Sequence, residues 1–430
     1  MNFVCKCNRL DKMAVNDRII VKKYGGTSVG NSEMIRRVAA GLRQDQAAGW
    51  KQVVVVSAMA QTTDRLIALA KEVTQRPRAR ELDLLLTTGE QVSSALLAMA
   101  LHEVGSEATA LTGAQCGIRT DGNFSRARIQ EINADRLHRH LDKGEIVIVA
   151  GFQGITYDDE ITTLGRGGSD TTGTALAAVL GSCQCRILTD VDGVFTADPR
   201  VVPEARLLDW ISYDEMLEYA GAGSRILHAR CVEMAAKFEV PLEVRCSFHD
   251  RSGTHVIGEE KLEKVTITGV TGNPGVARVG LRMVKDTPGV AALITEELAK
   301  HGINVLFIIQ GSCRRERQDM SLIIEQVRLE ETSCILHDLA SMVDAGDVIE
   351  DSDVAIVAII GSGIVETPGV AARMFRALAH EGINIEQISS SEVRLLCVID
   401  EARLEDAVRA IHREFELHAL ERRPIQDNNQ

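Results

Sequence analysis

Short apolar runs alternate with longer segments over most of the first 258 residues. Residues 53–56 and 146–149 are strand-length runs rich in Val and Ile, whereas residues 89–103 and 170–180 have the length and spacing of helices. Strands that alternate with helices in this way favour a parallel sheet with crossover helices. The pattern therefore predicts an α/β domain over residues 18–258.

The C-terminal part of the chain contains an internal repeat. Two similar segments begin at Asp286 and Glu366, 80 residues apart, and both contain the run Thr-Pro-Gly-Val-Ala-Ala. Each copy predicts a strand, a turn, a helix with the proline in its first turn, a glycine stop and another strand. We therefore expect two small β-α-β-β-α-β domains, at residues 259–350 and 351–420, and a tail at 421–430.

Composition is that of a folded globular protein. The chain has 430 residues, of which 45% are hydrophobic and 3% aromatic, and this suits α/β domains joined by glycine turns. The net charge of −13 argues against a nucleic-acid or anionic-membrane partner. Because no apolar run approaches the roughly 20 residues of a membrane helix and no signal peptide is evident, we expect a cytoplasmic protein.

Two further features carry little chemistry. Residues 1–17 show no apolar period, so we expect a loose extension, with translation starting at either Met1 or Met13. The ten cysteines contain no C-x-x-C pair, and the C-x-C pairs lack a second half with ligand spacing. We therefore assign no disulfide framework and no metal site from the sequence.

A glycine-rich loop follows the first predicted strand, at residues 22–30 (KKYGGTSVG). Glycines let the backbone approach a phosphate, adjacent N–H groups form a concavity for an anion, and Lys23 supplies positive charge. The spacing matches neither a Walker A loop nor G-x-G-x-x-G. The segment is therefore either a phosphate site or only a tight turn.

A second glycine-rich stretch, residues 162–173 (TTLGRGGSDTTG), precedes a predicted helix. Its Ser, Asp and Thr residues are good helix caps. Capping does not require Arg166 followed by paired glycines, which add a guanidinium fork and backbone amides at the positive end of a helix. Two such stretches in one domain favour a phosphorylated ligand.

A third stretch, residues 189–200 (TDVDGVFTADPR), combines the end of a predicted strand with a polar turn and an arginine. Its D-x-D-G start is typical of calcium loops, but Val201 stands where the closing Glu is required. Nucleotide contact and a plain turn both stay open. No nucleophile–base pair can be argued, whereas phosphoryl transfer, which needs positioned positive charge and Mg²⁺, fits these motifs.

Taken together, these segments resemble the aspartokinases, enzymes of the amino acid kinase fold that phosphorylate aspartate. The resemblance covers residues 18–420 and rests on KYGGTSVG, LLLTTGEQVSSALLA, ITTLGRGGSDTTG, ILTDVDGVFTADPR and VPLEVRCSF, with the repeats resembling ACT domains. It implies an αβα sandwich with two C-terminal ferredoxin-like domains. It also implies transfer of the γ-phosphate of ATP, with Mg²⁺, to the β-carboxylate of L-aspartate, the first step towards lysine, threonine and methionine.

The resemblance implies site residues as well. Lys23, Arg166 and Asp170 are expected to be catalytic, Arg166 holding the α-carboxylate of aspartate and Lys23 offsetting transition-state charge. Glu90 is expected to pair with the α-ammonium group. The β-carboxylate is already ionised near pH 7, so no strong base is needed. The implied nucleotide contacts are Lys23, Tyr24, Gly25, Gly26, Thr189, Asp190, Phe195, Arg200, Arg225 and Ile226, and the implied substrate contacts are Ser57, Thr63, Glu90, Arg166 and Ser169.

In the repeats, the turns that open the two helices are expected to hold a free amino acid as effector, through Asp286, Gly289 and Gly369. ACT-like repeats usually bury ligands between two copies, which implies a homodimer or higher oligomer. The family generally has Asn where Gly311 stands. We therefore expect weak or absent inhibition by lysine or threonine alone, and the identity of the effector stays open.

Some positions depart from the family's usual residues. Phe195 stands where Tyr is frequent, Arg225 where Lys is common and Ala229 where Pro is frequent, which bears on nucleotide affinity more than on chemistry. One alternative is a non-catalytic amino-acid sensor with a degenerate kinase domain, against which the intact Lys23 and Glu90 argue. The other is a kinase of the same fold acting on glutamate, and the appended repeats favour aspartate over it.

Overall fold

The computed structural model of the protein describes residues 18–182, 184–224, 226–258, 266–311, 316–364 and 366–419. The expected extension at 1–17, the linker residues 259–265, Arg225 and the tail at 421–430 lie outside the described residues. The strands of the N-terminal domain are β1 (Ile19–Tyr24), β2 (Lys51–Val56), β3 (Ala108–Leu111), β4 (Ile118–Thr120), β5 (Ile129–Ile132), β6 (Ile146–Ala150), β7 (Gln153–Ile155), β8 (Ile161–Thr163), β9 (Gln184–Thr189), β10 (Trp210–Ser212), β11 (Leu242–Cys246) and β12 (Thr254–Ile257). Its helices are α1 (Ser32–Ala47), α2 (Thr62–Val73), α3 (Ala79–Leu86), α4 (Thr88–Glu103), α5 (Asp135–Asp142), α6 (Gly168–Leu180), α7 (Tyr213–Gly221) and α8 (Ala229–Phe238).

The main sheet of this domain is mostly parallel, as the alternating pattern predicts. Its strand order within the described residues is β10-β12-β11-β9-β1-β2-β6-β3. The six strands from β11 to β3 are parallel to one another, whereas β12 is antiparallel to β11. A smaller sheet has the order β5-β4-β7-β8. Since β1 lies centrally, the loop that leaves its carboxyl end opens in the middle of one sheet edge.

Both faces of the main sheet are covered by helices. Val53 and Val55 of β2 pack in a cluster with Leu176 of α6, whereas Val54 and Val56 pack in a second cluster that includes Leu97 of α4. Successive side chains of a strand point to opposite faces, so an uninterrupted valine run is what a doubly covered strand requires. The expected αβα sandwich is confirmed.

Two smaller units follow, each with a four-stranded sheet. In chain order, the elements up to residue 351 are β13 (Thr266–Asn273), β14 (Val276–Lys285), α9 (Val290–Lys300), β15 (Val305–Gln310), β16 (Arg317–Glu325), α10 (Leu329–Ala340) and β17 (Asp347–Asp351). The elements after residue 351 are β18 (Val354–Ser362), α11 (Val370–His380), β19 (Gln387–Ser391), β20 (Arg394–Asp400) and α12 (Leu404–Glu414). Short 3₁₀ turns lie at Gln326–Arg328, Glu401–Arg403 and Leu417–Ala419.

The second C-terminal unit is not contiguous in the chain. The first sheet has the order β15-β16-β14-β17, and the second has the order β13-β18-β20-β19. Strand β13 comes before the first unit in sequence but pairs antiparallel with β18 of the second. The boundaries expected from the repeat assign residues 266–273 to the first unit, and in space this strand completes the second. The repeat alone leaves the second unit one strand short, and β13 covers the edge that would otherwise stay exposed.

The prolines of the repeats lie before the helices, so the expectation that they occupy the first turn is wrong. Helices α9 and α11 begin at Val290 and Val370, and their N-caps are Gly289 and Gly369 with φ of 99° and 98°. A left-handed backbone suits glycine and redirects the chain into the helix. Pro288 and Pro368 therefore fix the turn rather than the helix.

One helical stretch, Ala79–Glu103, is long and apolar enough to cross a membrane by length and composition. It comprises α3 and α4, and half of its most apolar window is buried inside the protein. Buried residues such as Leu97 and Leu101 pack against the main sheet. The stretch therefore has the burial of a core helix.

Candidate active site

Three loops meet at the carboxyl edge of the main sheet, where ligands bind in open α/β folds. The loop after β1 is hydrogen-bonded to β9, since the Gly25 amide donates to the Leu188 carbonyl at 2.9 Å. The Ala60 amide, in the loop after β2, donates to the Gly26 carbonyl at 3.0 Å. The loop after β1 thus lies between the end of β9 and the loop after β2 at this edge.

Lys23 and Asp170 form an ion pair at the centre of this edge. The distance from Lys23 Nζ to Asp170 Oδ1 is 2.6 Å, and both residues are buried. Lys23 comes from β1 and Asp170 from the first turn of α6, and Gly173 of α6 lies against the Lys23 side chain. A buried charge without a close partner is strongly destabilising. Lys23 and Asp170 therefore hold each other in position.

Glycines are required by close approach in both loops. A Cβ on Gly26 would lie 2.7 Å from the Ala58 carbonyl oxygen, and a Cβ on Gly167 would lie 2.2 Å from His228 Cβ. Gly167 has φ of 68° and forms the N-cap of α6, with no side-chain hydrogen bond to the helix. The N-cap residue therefore offers no side-chain acceptor to the amides of that first turn, and free amides at a helix start can bind anions.

Glu90 is a buried carboxyl group with an incomplete set of partners. It lies in the first turn of α4 and is 3% exposed, and its Oε1 accepts from the Ala58 amide at 3.1 Å. Its Oε2 has no hydrogen-bond partner among the described residues. Burial raises the pKa of Glu90 to about 7 because it disfavours the carboxylate. A cationic group placed beside Oε2 would complete this site.

The other expected substrate residues surround Glu90 and the start of α6. Ser57 directly precedes Ala58 and donates its amide to the Tyr24 carbonyl at 3.1 Å, and Thr63 lies in the first turn of α2. Ser169 is buried, and a Cβ on Gly151 would lie 2.8 Å from its hydroxyl. Arg166 is exposed and forms no ion pair within the part of the chain that the structure describes.

The expected nucleotide residues lie along the segment that follows β9. The Thr189 hydroxyl donates to Asp190 Oδ1 at 3.2 Å. Phe195 forms an isolated antiparallel β-bridge with Leu207. The Arg200 side chain is 88% exposed and pairs with Asp198 at 2.6 Å, which lowers the pKa of Asp198. Arg200 is therefore paired locally, with a residue of its own turn. The remaining members of the expected set are Tyr24 and Gly25, which are buried, Gly26, Ile226, which packs on the core, and Arg225, which lies outside the described residues.

Sequence reasoning missed two residues that hold the second glycine-rich stretch. Asp83, fully buried in α3, accepts from the amides of Thr163 and Ser125 at 2.7 and 2.8 Å and also from both hydroxyls. Arg230 donates to the Leu164 and Ala127 carbonyls at 2.5 and 2.9 Å. The available signal was an Asp inside the leucine run LDLLL, a position where an acid needs buried partners.

The expected effector residues lie on the first and second C-terminal units. Asp286 is exposed, and its Oδ1 accepts from Gln318 Nε2 at 3.1 Å. The Gly311 amide donates to the Asp319 carbonyl at 2.8 Å, and a Cβ there would meet no described atom nearer than 3.5 Å. The position therefore has room for a side chain.

Comparison with known proteins places these features in a family. A model of the amino acid kinase family matches residues 18–246, and a model of the ACT domain matches residues 276–339 and 357–415. The aspartokinase of Geobacillus stearothermophilus is 49% identical over 400 residues, which cover 93% of this chain and 97% of the relative. The aspartokinase of Thermus thermophilus is 46% identical over 402 residues, covering 93% of this chain and 99% of the relative.

Solved structures give the same result. The crystal structure of E. coli aspartokinase III in complex with aspartate and ADP, in the R-state, has a TM-score of 0.79 and 26% identity. The match covers 92% of this chain and 99% of that chain. The structure of the same enzyme in complex with lysine and aspartate, in the T-state, has a TM-score of 0.71 with the same coverage.

Proposed function

The chain belongs to the aspartokinases, within the amino acid kinase family, and from this premise we propose how its own residues act. We propose that the protein transfers the γ-phosphoryl group of ATP to the β-carboxylate of L-aspartate, giving ADP and 4-phospho-L-aspartate. The buried Lys23–Asp170 pair between two glycine-rich loops is the observation that carries this proposal.

Lys23 stabilises the charge on the phosphoryl group as it moves between the two oxygens. Phosphoryl transfer needs positioned positive charge more than a protein nucleophile, and fixed charges act most strongly where water is excluded. Asp170 holds the Lys23 ammonium group in place from 2.6 Å. The amides at the start of α6 supply further donors for phosphate oxygens.

Glu90 and Arg166 orient the amino acid. The α-ammonium group binds beside Glu90 Oε2, which lacks a hydrogen-bond partner among the described residues. The exposed Arg166 guanidinium group binds the α-carboxylate, for which its planar fork is suited. The β-carboxylate is then left to attack the γ-phosphate of ATP. Because this carboxylate is ionised near pH 7, the step needs orientation rather than a base.

The carboxylates of this edge fit a Mg²⁺ ion that accompanies ATP. Asp190 is exposed at the end of β9, and its Oδ1 accepts from the Thr189 hydroxyl. Mg²⁺ prefers oxygen ligands and usually binds through one or two carboxylates together with phosphates. When bound, it supplies positive charge to the β- and γ-phosphates, and Asp190 is the residue we assign to it.

We also propose that the two C-terminal units bind an amino-acid effector through Asp286, Gly289 and Gly369, and that the protein forms at least a dimer in the cytoplasm. The lysine complex of E. coli aspartokinase III supports an effector of this class. Residues 18–258 form the catalytic domain of this proposal, and the units after residue 258 form its regulatory part.

The test is a coupled assay of ADP release with purified protein, ATP and Mg²⁺. L-aspartate, L-glutamate and N-acetyl-L-aspartate are compared, the last because it lacks the ammonium group that Glu90 is proposed to bind. We expect turnover with aspartate and a large loss of kcat/KM with the other two. Absence of turnover with every substrate would support the sensor alternative, and a preference for glutamate would support the other kinase.

A further inference from the structure

Three metal-binding side chains converge beside the segment that follows β9. They are Asp192, Cys246 and His249, and their ligand atoms all lie within 4.8 Å of one another. His249 Nε2 lies 2.8 Å from Asp192 Oδ1. Asp192 follows β9, and Cys246 ends β11, its parallel neighbour, so the topology brings both to the same sheet edge. We call these residues the Cys-His-Asp cluster.

The ligand types of the Cys-His-Asp cluster favour one metal ion over others. We propose that the Cys-His-Asp cluster binds Zn²⁺ with these three residues as ligands and one position left open. Zinc takes thiolate, imidazole and carboxylate ligands at about 2.0–2.3 Å, in tetrahedral geometry. Mg²⁺ prefers oxygen ligands, so a thiolate disfavours it here.

Two ligands of the Cys-His-Asp cluster are partly exposed, so a metal ion can reach the site from solvent. Cys246 is 5% exposed, whereas the side chains of Asp192 and His249 are 40% and 33% exposed. The two partly exposed ligands form the entry side and the thiol forms the floor. This combination resembles an open metal site more than a surface group of acids, because one ligand is soft and shielded from water.

The hydrogen bonds around His249 are compatible with metal binding at Nε2. The Arg251 amide donates to His249 Nδ1 at 3.3 Å, and Nε2 faces Asp192. Coordination through Nε2 moves the ring proton to Nδ1 and ends the Arg251 contact, which is long for an N–H···O or N–H···N bond. The metal replaces the proton now shared between His249 and Asp192.

The test is a titration of the full chain, reduced and freed of metal by chelation, with Co²⁺ as a spectroscopic substitute for Zn²⁺. We expect one equivalent to produce a thiolate-to-cobalt charge-transfer band with the visible bands of tetrahedral Co²⁺, and Zn²⁺ to remove them. Cys246→Ser should abolish the charge-transfer band. Even outer-shell changes cost about 10–100-fold in metal affinity, so His249→Asn and Asp192→Asn should each weaken binding by at least about tenfold.

Matched controls separate this site from other thiols. Cys334 is free and exposed, so Cys334→Ser should leave the band unchanged, as should the double variant Cys5→Ser and Cys7→Ser. A wild-type chain that shows no charge-transfer band, or a band that persists in Cys246→Ser, would overturn the proposal. If Cys246→Ser does not fold, unaltered affinity in both His249→Asn and Asp192→Asn would overturn it equally.

Discussion

Separating Lys23 from Asp170 is costly, because both residues are buried and each is the close partner of the other. Lys23→Ala removes the positioned ammonium group and leaves Asp170 without its ion-pair partner. We expect kcat/KM for aspartate to fall by at least about 100-fold, the range for one lost electrostatic donor. Steady-state kinetics with ATP and aspartate measures this.

Lys51→Ala is the matched control for this change. Lys51 also belongs to a strand and pairs with Asp142 at 2.9 Å, but this pair lies on the surface and such pairs contribute little. Its kcat/KM should stay close to that of the wild type. Equal activity of Lys23→Ala and Lys51→Ala would show that Lys23 has no role in transfer.

The raised pKa of Glu90 predicts that kcat/KM for aspartate depends on pH. Its pKa is raised to about 7 by burial, so in the free protein the carboxyl group becomes protonated as the pH falls through about 7. Only the carboxylate attracts the α-ammonium group, so kcat/KM for aspartate should decline below that pH. Glu90→Gln should have a lower kcat/KM and should lose this limb of the profile, since the amide does not titrate. An unchanged profile in Glu90→Gln would assign the limb to another group.

At the level of elements, the glycine turn before α6 is set by its backbone. Gly167 has φ of 68°, and a Cβ there would lie 2.2 Å from His228 Cβ. Gly167→Ala should therefore displace the start of α6 together with Asp170 and lower kcat/KM by roughly 100-fold, as misplacement near 1 Å does. It should also lower Tm by several degrees, because a strained backbone costs about 1–3 kcal/mol.

Gly122→Ala supplies the control at this scale. Gly122 is exposed, and a Cβ there would meet no described atom within 4 Å. Its kinetics and Tm should match those of the wild type. A Gly167→Ala protein with wild-type kinetics would show that the start of α6 tolerates displacement and so does not hold the phosphates.

Elements were predictable where their signal is local. The valine run at 53–56 and the segment at 170–180 form the strand and helix that periodicity predicts, within β2 and α6. The position of β13 was not predictable, because its pairing with β18 joins residues about 90 positions apart and no local pattern records it. The four hydrogen bonds on Asp83 and the two from Arg230 likewise depend on tertiary contacts. The glycine loops were visible in sequence because their chemistry is local.

Across the whole molecule, the second C-terminal unit contacts the N-terminal domain at α7 and beside Phe195. Arg394 pairs with Glu218 of α7 at 2.7 Å, and Ser391 donates to the same carboxylate at 2.8 Å. His412 of α12 is buried and lies 3.0 Å from the hydroxyl of Thr196, which directly follows Phe195. These contacts join the second C-terminal unit directly to the segment that we propose holds the nucleotide.

The substitution Gly311→Asn tests the proposed amino-acid effector site. The site has room for a side chain, since a Cβ would meet no described atom nearer than 3.5 Å. Gly311→Asn adds an amide that can make one or two hydrogen bonds to an effector, worth roughly 5–150-fold in affinity. We expect weak or absent inhibition of the wild type by lysine or threonine alone and greater sensitivity in the variant. Activity titrations with each amino acid measure both.

Gly311→Ala is the matched control, because it adds a methyl group and no amide. It should be inhibited no more strongly than the wild type. Strong inhibition of the wild-type protein by micromolar lysine or threonine would contradict the expectation drawn from Gly311. Gain of sensitivity in the Ala variant as well would assign the effect to backbone restriction instead.

The central claim is that this chain transfers a phosphoryl group to the β-carboxylate of aspartate. The most direct measurement is to incubate the wild-type protein with ATP, Mg²⁺ and L-aspartate in the presence of hydroxylamine, which converts an acyl phosphate into a stable hydroxamate. Mass spectrometry should detect the β-hydroxamate of aspartate, formed in step with ADP and absent with Lys23→Ala. ADP release without the hydroxamate, or a hydroxamate formed from glutamate in preference to aspartate, would contradict the claim.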